Sequence, residues 1–256
     1  MAEPRSLRGQ RRNEKVAGMG KFWLGLARWV FYPLTMLLST VRVRGHERIP
    51  EDGPALIVLN HVSHLDPIFD AVTVHRSGRV PRFMAKNTLW NLPLVKNVLT
   101  GTGQIPVYRG TADAQKALRA GHEGLKTGKA IVIYPDGTIT KDPDGWPMIP
   151  KPGVARLALT HDIPVIPAAR WGTRDIYDHY DKKFRPFPRK TVHYVFGEPL
   201  DLTAYRSDNP DAEALREVSH LAMARVRELL AEIRDEQPPR EFYAPARKPK
   251  GGHGKA

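Results

Sequence analysis

The residues with most chemistry per unit length are Asn60-His61-Val62-Ser63-His64-Leu65-Asp66-Pro67. A neutral imidazole takes a proton from a hydroxyl or a water at pH 7. A carboxylate beside it fixes the tautomer and stabilises the imidazolium. His61 and Asp66 are the right types for such a pair, and a strand-to-helix turn can bring together side chains with four residues between them. The spacing also admits a plainer role, because Asp before Pro is a frequent helix N-cap. The roles are compatible, since a carboxylate has two oxygens. Two further groups have polar chemistry: Arg109, which ends Gly103–Arg109, and Asp136-Gly137-Thr138, which follows Tyr134-Pro135. Alone, a strand-terminal Arg is a solvated charge and Pro-Asp-Gly is a turn signal.

Other chemistries lack their residues. No serine sits in G-x-S-x-G, so a hydrolase elbow is missing. Neither G-x-x-x-x-G-K-[ST] nor G-x-G-x-x-G occurs. No H-E-x-x-H and no cysteine pair suggests zinc. The chain has no cysteine at all, which excludes disulfides, thiolate metal sites and a Cys nucleophile. No metal and no cofactor are expected. Lys and Arg number 40 against 27 Asp and Glu, a net charge of +13. That surplus points to an anionic partner: nucleic acid, anionic lipid or a phosphorylated substrate. No nucleic-acid motif is present.

The elements that must position these groups alternate. Strands are expected at 41–46, 55–59, 81–86, 103–109, 130–134, 163–169 and 191–196. Helices are expected at 67–75, 112–127, 153–161 and 211–236. Leu215, Val218, Ala222, Val226, Leu229 and Ile233 give the last helix one apolar stripe. This pattern predicts an α/β fold, a single domain with a mixed β-sheet flanked by helices. A strand of continuous apolar residues, Ala55–Leu59, then delivers His61 and Asp66 to its carboxyl end, where α/β sites form. Residues 88–99 are an apolar, Pro-interrupted patch, read as core packing.

The ends differ from this body. Residues 1–21 read as a basic disordered arm and 238–256 as a basic disordered tail. Residues 22–40 carry an apolar run, 22–38, with Trp23, Trp29, Phe31 and Tyr32. As a helix it spans roughly 25 Å, short of a hydrocarbon core of about 30 Å. Arg28 lies inside it and Pro33 interrupts it. An interfacial or re-entrant membrane-associated helix is expected, with a core helix as the alternative.

Taken together, the blocks resemble the glycerolipid acyltransferase family, whose bacterial type is 1-acylglycerol-3-phosphate acyltransferase. The resemblance covers about residues 40–200, which places an acyltransferase domain at 41–237. Asn60-His61-x4-Asp66-Pro67 comes first, then Gly103-x-Ile105-Pro106-Val107-x-Arg109. Tyr134-Pro135-Asp136-Gly137-Thr138 and Ile163-Pro164-Val165-Ile166-Pro167 follow in order. The third block departs from the family's Pro-Glu-Gly-Thr-Arg-Ser. Asp136 replaces Glu, and Ile139 stands where Arg is expected, which removes a bidentate phosphate donor. Lys141 or Lys151 are the candidate replacements; alternatively the acceptor differs.

The resemblance implies a glycerol-3-phosphate acyltransferase-like fold and direct acyl transfer without an acyl-enzyme. His61 would deprotonate the acceptor hydroxyl and Asp66 would hold His61. Arg109, with Lys86 as a second candidate, would bind the acceptor phosphate, and Asp136, Gly137 and Thr138 would line the acceptor side. The co-substrate would be acyl-CoA or acyl carrier protein, the acceptor lysophosphatidate, and the product phosphatidate. Anionic membrane lipids would be partners, and nucleic acid would not. The location implied is the cytoplasmic face of the cell membrane, peripheral or monotopic. Residues 88–99 would then be either an acyl tunnel or ordinary core. The rival readings are an acyltransferase for another lysophospholipid or a glycolipid, and a non-enzymatic basic protein that binds membrane or nucleic acid.

Overall fold

The structure is a computed structural model and describes residues 18–107, 111–207 and 209–245. Helix α1 (Gly18–Leu38) leads directly into strand β1 (Ser39–Arg44), so residues 39 and 40 belong to the sheet and not to the helix. Strand β2 (Ala55–Leu59), helix α2 (Asp66–Arg76) and strand β3 (Pro81–Lys86) follow. Then come α3 (Pro93–Gly101), β4 (Ile105–Val107), α4 (Thr111–Lys126) and β5 (Ala130–Ile133). The second half has α5 (Gly153–Thr160), β6 (Val165–Trp171) and the short α6 (Thr173–Ile176). A hairpin of β7 (Tyr177–Asp178) and β8 (Lys183–Phe184) precedes β9 (Lys190–Phe196) and α7 (Ala212–Arg234).

Seven strands form one mixed sheet in the order β1-β9-β6-β2-β5-β3-β4. Strands β2 to β6 run parallel; β9 is antiparallel to β6, and β1 is parallel to β9. The central strand β2 is apolar at every position because both faces of the sheet are covered. Leu56 and Val58 face one core with Leu157 of α5 and Val218, Ala222 and Val226 of α7. Ile57 and Leu59 face the other with Phe69 and Val74 of α2 and Leu38 at the end of α1. The apolar stripe expected on the last helix therefore lies against the sheet. Asp211 caps α7 by accepting from the Ala214 N–H at 2.8 Å.

At the amino end, α1 packs on α3, and Trp23 lies against Gly101. Phe22, Trp29, Met36 and Leu37 are exposed on α1, and Leu92 and Leu94 at α3. Residues 88–99 are thus a partly exposed surface, not the buried core expected. Among the described residues no helix is long and apolar enough to cross a membrane.

The expected tail boundary also moves. Residues 238–245 return to the body: the Ile149 N–H donates to Tyr243 O at 3.1 Å, and Phe242 lies under Arg227, 4.5 Å from guanidinium to ring centroid. These contacts satisfy backbone groups and cover an aromatic ring, which composition alone does not reveal. The basic arm over 1–17 and the tail over 246–256 lie outside the described residues.

Candidate active site

The Leu59-to-Asp66 turn places His61 against Asp66, with Nδ1 to Oδ2 at 2.8 Å. Asp66 is fully buried, and the His61 side chain keeps a small exposed edge. The same Oδ2 accepts from the backbone N–H groups of Val62 at 2.7 Å and Ser63 at 2.8 Å. Asp66 does not cap α2. It occupies the first helical turn, Leu65 is the cap position, and the carboxylate folds back onto the preceding loop. That loop has buried N–H groups to satisfy, and they take the oxygen a cap would have used.

Behind Asp66 lies a buried polar cluster in which Arg170 Nε lacks a hydrogen bond. Arg170, fully buried in β6, reaches Asp66 Oδ2 with Nη2 at 2.5 Å and Asp70 with Nη1 at 2.9 and 3.0 Å. Thr173 Oγ1 donates to Asp66 Oδ1 at 2.6 Å. Asp70 accepts from Tyr134 Oη at 2.5 Å and from Tyr194 Oη at 2.6 Å. Asn60 pairs its side-chain amide with the Arg170 backbone, both bonds at 2.9 Å, and its backbone carbonyl accepts from Arg170 Nη2 at 2.7 Å. The electrostatics follow. Burial would raise the Asp66 carboxyl, but Arg170 and the His61 hydrogen bond outweigh it, so Asp66 is held below the usual range. Burial raises Asp70, and the neighbouring Asp66 adds to this against the pull of Arg170. An ionised Asp66 is only an acceptor, so His61 Nδ1 carries the proton and Nε2 presents its lone pair. Nε2 has no hydrogen-bond partner among the described residues. Tyr134 stacks on the ring, with centroids 4.4 Å apart, and fixes its plane.

The third block forms a turn next to this pair. The Gly137 N–H donates to Tyr134 O at 2.9 Å, and Gly137 has φ of 69°, a conformation that suits glycine. The Thr140 N–H donates to His61 O at 2.8 Å, which ties the turn to the histidine loop. Asp136, Gly137 and Thr138 line a cavity of about 260 Å³ with Lys141, Lys151, Met148, Ile149 and Pro245. The Lys151 ammonium hangs over Gly137, in the space a β-carbon would need. Asp136 is buried; Oδ1 accepts from the Met148 N–H at 2.7 Å, and Oδ2 has no hydrogen bond. Burial pushes this carboxyl up to about 7, against the opposing effect of the Met148 N–H and Lys151. Ile139 is itself buried and does not line the cavity.

Lys86 stands exposed at the carboxyl end of β3. The registers Phe83↔Val132 and Ile57↔Val132 place it level with Pro135 and Asn60, one strand beyond β5. It shares the sheet edge with His61 but not the polar cluster. Arg109 lies outside the described residues. Among the described residues no group of His, Asp and Glu could hold a metal ion.

Sequence reasoning did not single out Arg170, Asp70, Thr173 or Tyr194. Two signals were available. Arg170 interrupts the apolar strand Val165–Trp171, and a buried guanidinium needs acids. Asp70 follows Asp66 by four residues, which puts both carboxylates on one face of a helix.

A histidine–carboxylate pair at the strand ends of this mixed sheet defines an α/β domain with a candidate acid–base site. The family model described as Acyltransferase matches residues 40–171, and the chain belongs to that family. It is 26% identical over 212 residues to a chloroplastic 1-acyl-sn-glycerol-3-phosphate acyltransferase of Brassica napus, covering 78% of this chain and 56% of that protein. It is also 26% identical over 140 residues to a 1-acyl-sn-glycerol-3-phosphate acyltransferase of Borreliella burgdorferi, covering 53% of this chain and 52% of the other. The chain thus spans about half the length of these curated relatives. Among solved structures it is similar to the 1-acyl-sn-glycerophosphate acyltransferase PlsC from Thermotoga maritima. That match has a TM-score of 0.60, 26% identity and coverage of 82% of this chain and 80% of the other.

Proposed function

We propose that this protein transfers a fatty acyl group from acyl-CoA or acyl carrier protein to the free hydroxyl of 1-acylglycerol-3-phosphate. The observation that carries the reading is the buried Asp66 holding Nδ1 of His61 at 2.8 Å, with Nε2 unpartnered among the described residues. The acceptor hydroxyl gives its proton to Nε2 as its oxygen attacks the thioester carbonyl. The C–S bond then breaks, and the leaving thiolate takes the proton from the imidazolium. Asp66 stabilises that imidazolium, and Arg170 and Thr173 keep Asp66 in place. General base catalysis supplies about 10²–10⁴-fold; the remainder comes from positioning and from stabilising the oxyanion.

The acceptor phosphate is assigned to the cavity at Asp136–Thr138, with Lys151 and Lys141 in place of the missing guanidinium and with Arg109 and Lys86 as further donors. The protein works at the cytoplasmic face of the membrane, with the exposed apolar side of α1 and Leu92 and Leu94 against the lipid. Thiol release from acyl-CoA, followed across a panel of lysophospholipids, tests the reading. Release is expected with lysophosphatidate and is abolished in His61→Ala; full activity of that variant would refute the mechanism. A second reading, another lysophospholipid or a glycolipid as acceptor, is favoured by the buried Ile139. Faster release with an acceptor lacking a terminal phosphate selects it.

A further inference from the structure

The β7–β8 hairpin and the segment after it have no part in the chemistry above. Residues 180–189 are exposed at every position except the half-buried Pro186. Phe184 and Phe187 are 58% and 65% exposed. Lys182, Lys183, Arg185, Arg189 and Lys190 surround them, against one carboxylate, Asp181. Exposed aromatic rings set among cations match an anionic bilayer. Aromatic rings of this kind partition into the headgroup boundary, and cations of this kind meet lipid phosphates.

The segment is also continuous with the apolar side of α1. Arg189 Nη2 donates to Met36 O at 2.6 Å and to Ser39 O at 2.7 Å. Met36 and Leu37 there are each 58% exposed. At its root the hairpin grips the site. Ser63 Oγ donates to Tyr177 O at 2.7 Å, His64 meets His179 edge-on at 4.3 Å, and Tyr180 Oη donates to Ile139 O at 3.2 Å. One piece of chain therefore links the end of α1, the histidine loop and the third-block turn.

We propose that residues 177–189 form a second bilayer contact, an aromatic and basic finger that seats the loop carrying His61 on an anionic leaflet. This rests on the membrane-associated reading given above and adds a site to it. The test uses the full chain, a Phe184→Ser, Phe187→Ser double variant and a Trp29→Ser variant. Each is sedimented with phosphatidylcholine vesicles, with and without phosphatidylglycerol. The double variant is expected to lose at least tenfold in affinity for the anionic vesicles. It should keep its melting temperature and its transfer rate with short-chain, water-soluble substrates. Unchanged vesicle affinity of the double variant, with Trp29→Ser weakened, overturns the finger and leaves α1 as the membrane face. A wild-type chain that binds neither vesicle overturns the membrane reading and the finger with it. The absence of native cysteine permits a second measurement. Phe187→Cys carrying an environment-sensitive dye should shift to the blue on anionic vesicles, and an unshifted spectrum on vesicle-bound protein overturns the proposal.

Discussion

The two sides of His61 differ in how their carboxylates are held, although each side keeps one buried polar atom without a hydrogen bond, Arg170 Nε on one and Asp136 Oδ2 on the other. Behind it, Asp66, Asp70 and Arg170 are fully buried, and every oxygen of the two carboxylates accepts at least one hydrogen bond. Beside it, the Asp136 turn opens on a cavity, and one Asp136 oxygen is buried without a hydrogen bond. The difference teaches where this protein is constrained. The proposed proton-accepting imidazole needs one orientation, and the hydrogen bonds to Asp66 supply it. Under the proposed function the second side takes the acceptor, and the unpaired Asp136 oxygen is open for a ligand to complete.

Removing the imidazole tests the constrained side most directly. His61→Ala should cost about 10²–10⁴-fold in kcat/KM, roughly 3–5 kcal/mol of transition-state stabilisation. Steady-state thiol release measures it, and a loss below tenfold would show that the pair is structural. Arg170→Met leaves two buried carboxylates without their common cation. Breaking a buried pair costs about 3–5 kcal/mol, to be read in urea unfolding. Near-unchanged stability would mean that the cluster is not the anchor described.

Asp136→Asn addresses the loose side. The Asp136 carboxyl titrates at about 7 in the folded protein against 3.8 ordinarily. The folded state therefore holds more protons than the unfolded chain between those values, and stability falls as pH rises through that window. Asn has no such cost and still accepts from the Met148 N–H. The variant's advantage should grow from pH 4 to pH 7 and level off above, reaching about 4 kcal/mol. Melting curves across that range check it, and a pH-independent difference would return Asp136 to an ordinary carboxylate. Thr173→Val removes one donor to Asp66 and should cost about 1–2 kcal/mol of stability with a fall in kcat and little change in acceptor KM. Lys151→Ala should do the reverse. Acceptor KM should rise roughly fivefold, about 1 kcal/mol, for one phosphate contact near the surface, with kcat nearly kept. If Lys151→Ala lowers kcat alone, the division between the two sides fails.

Much of the frame was legible in the chain. Ala55–Leu59 and Ala130–Ile133 are apolar at every position because both faces of the sheet are covered, and that composition marks a central strand. The stripe on α7 was equally plain, since it depends on neighbours along the chain. The third-block departure was visible too, and the two candidate replacements, Lys141 and Lys151, both line the cavity. The reading of Asp66 as a cap failed because the carboxylate's partners are the N–H groups before it. The tail boundary at 238 failed because Tyr243 and Phe242 find partners about ninety-five and fifteen residues away.

By itself, then, the sequence determined the order of elements, the histidine–carboxylate pair, the missing arginine and the excess of positive charge. These are properties of residue type and local spacing. Tertiary structure alone decided that Arg170 lies between Asp66 and Asp70, that Tyr134 stacks on His61, and that Ile139 turns inward beside a lysine-lined cavity. It also decided that the hairpin at 177–189 joins α1 to the histidine loop. Residues a hundred positions apart meet there because the parallel sheet brings its strand ends to one edge. Burial then makes each pairing obligatory, since an unpaired charge in the interior costs more than the chain can sustain.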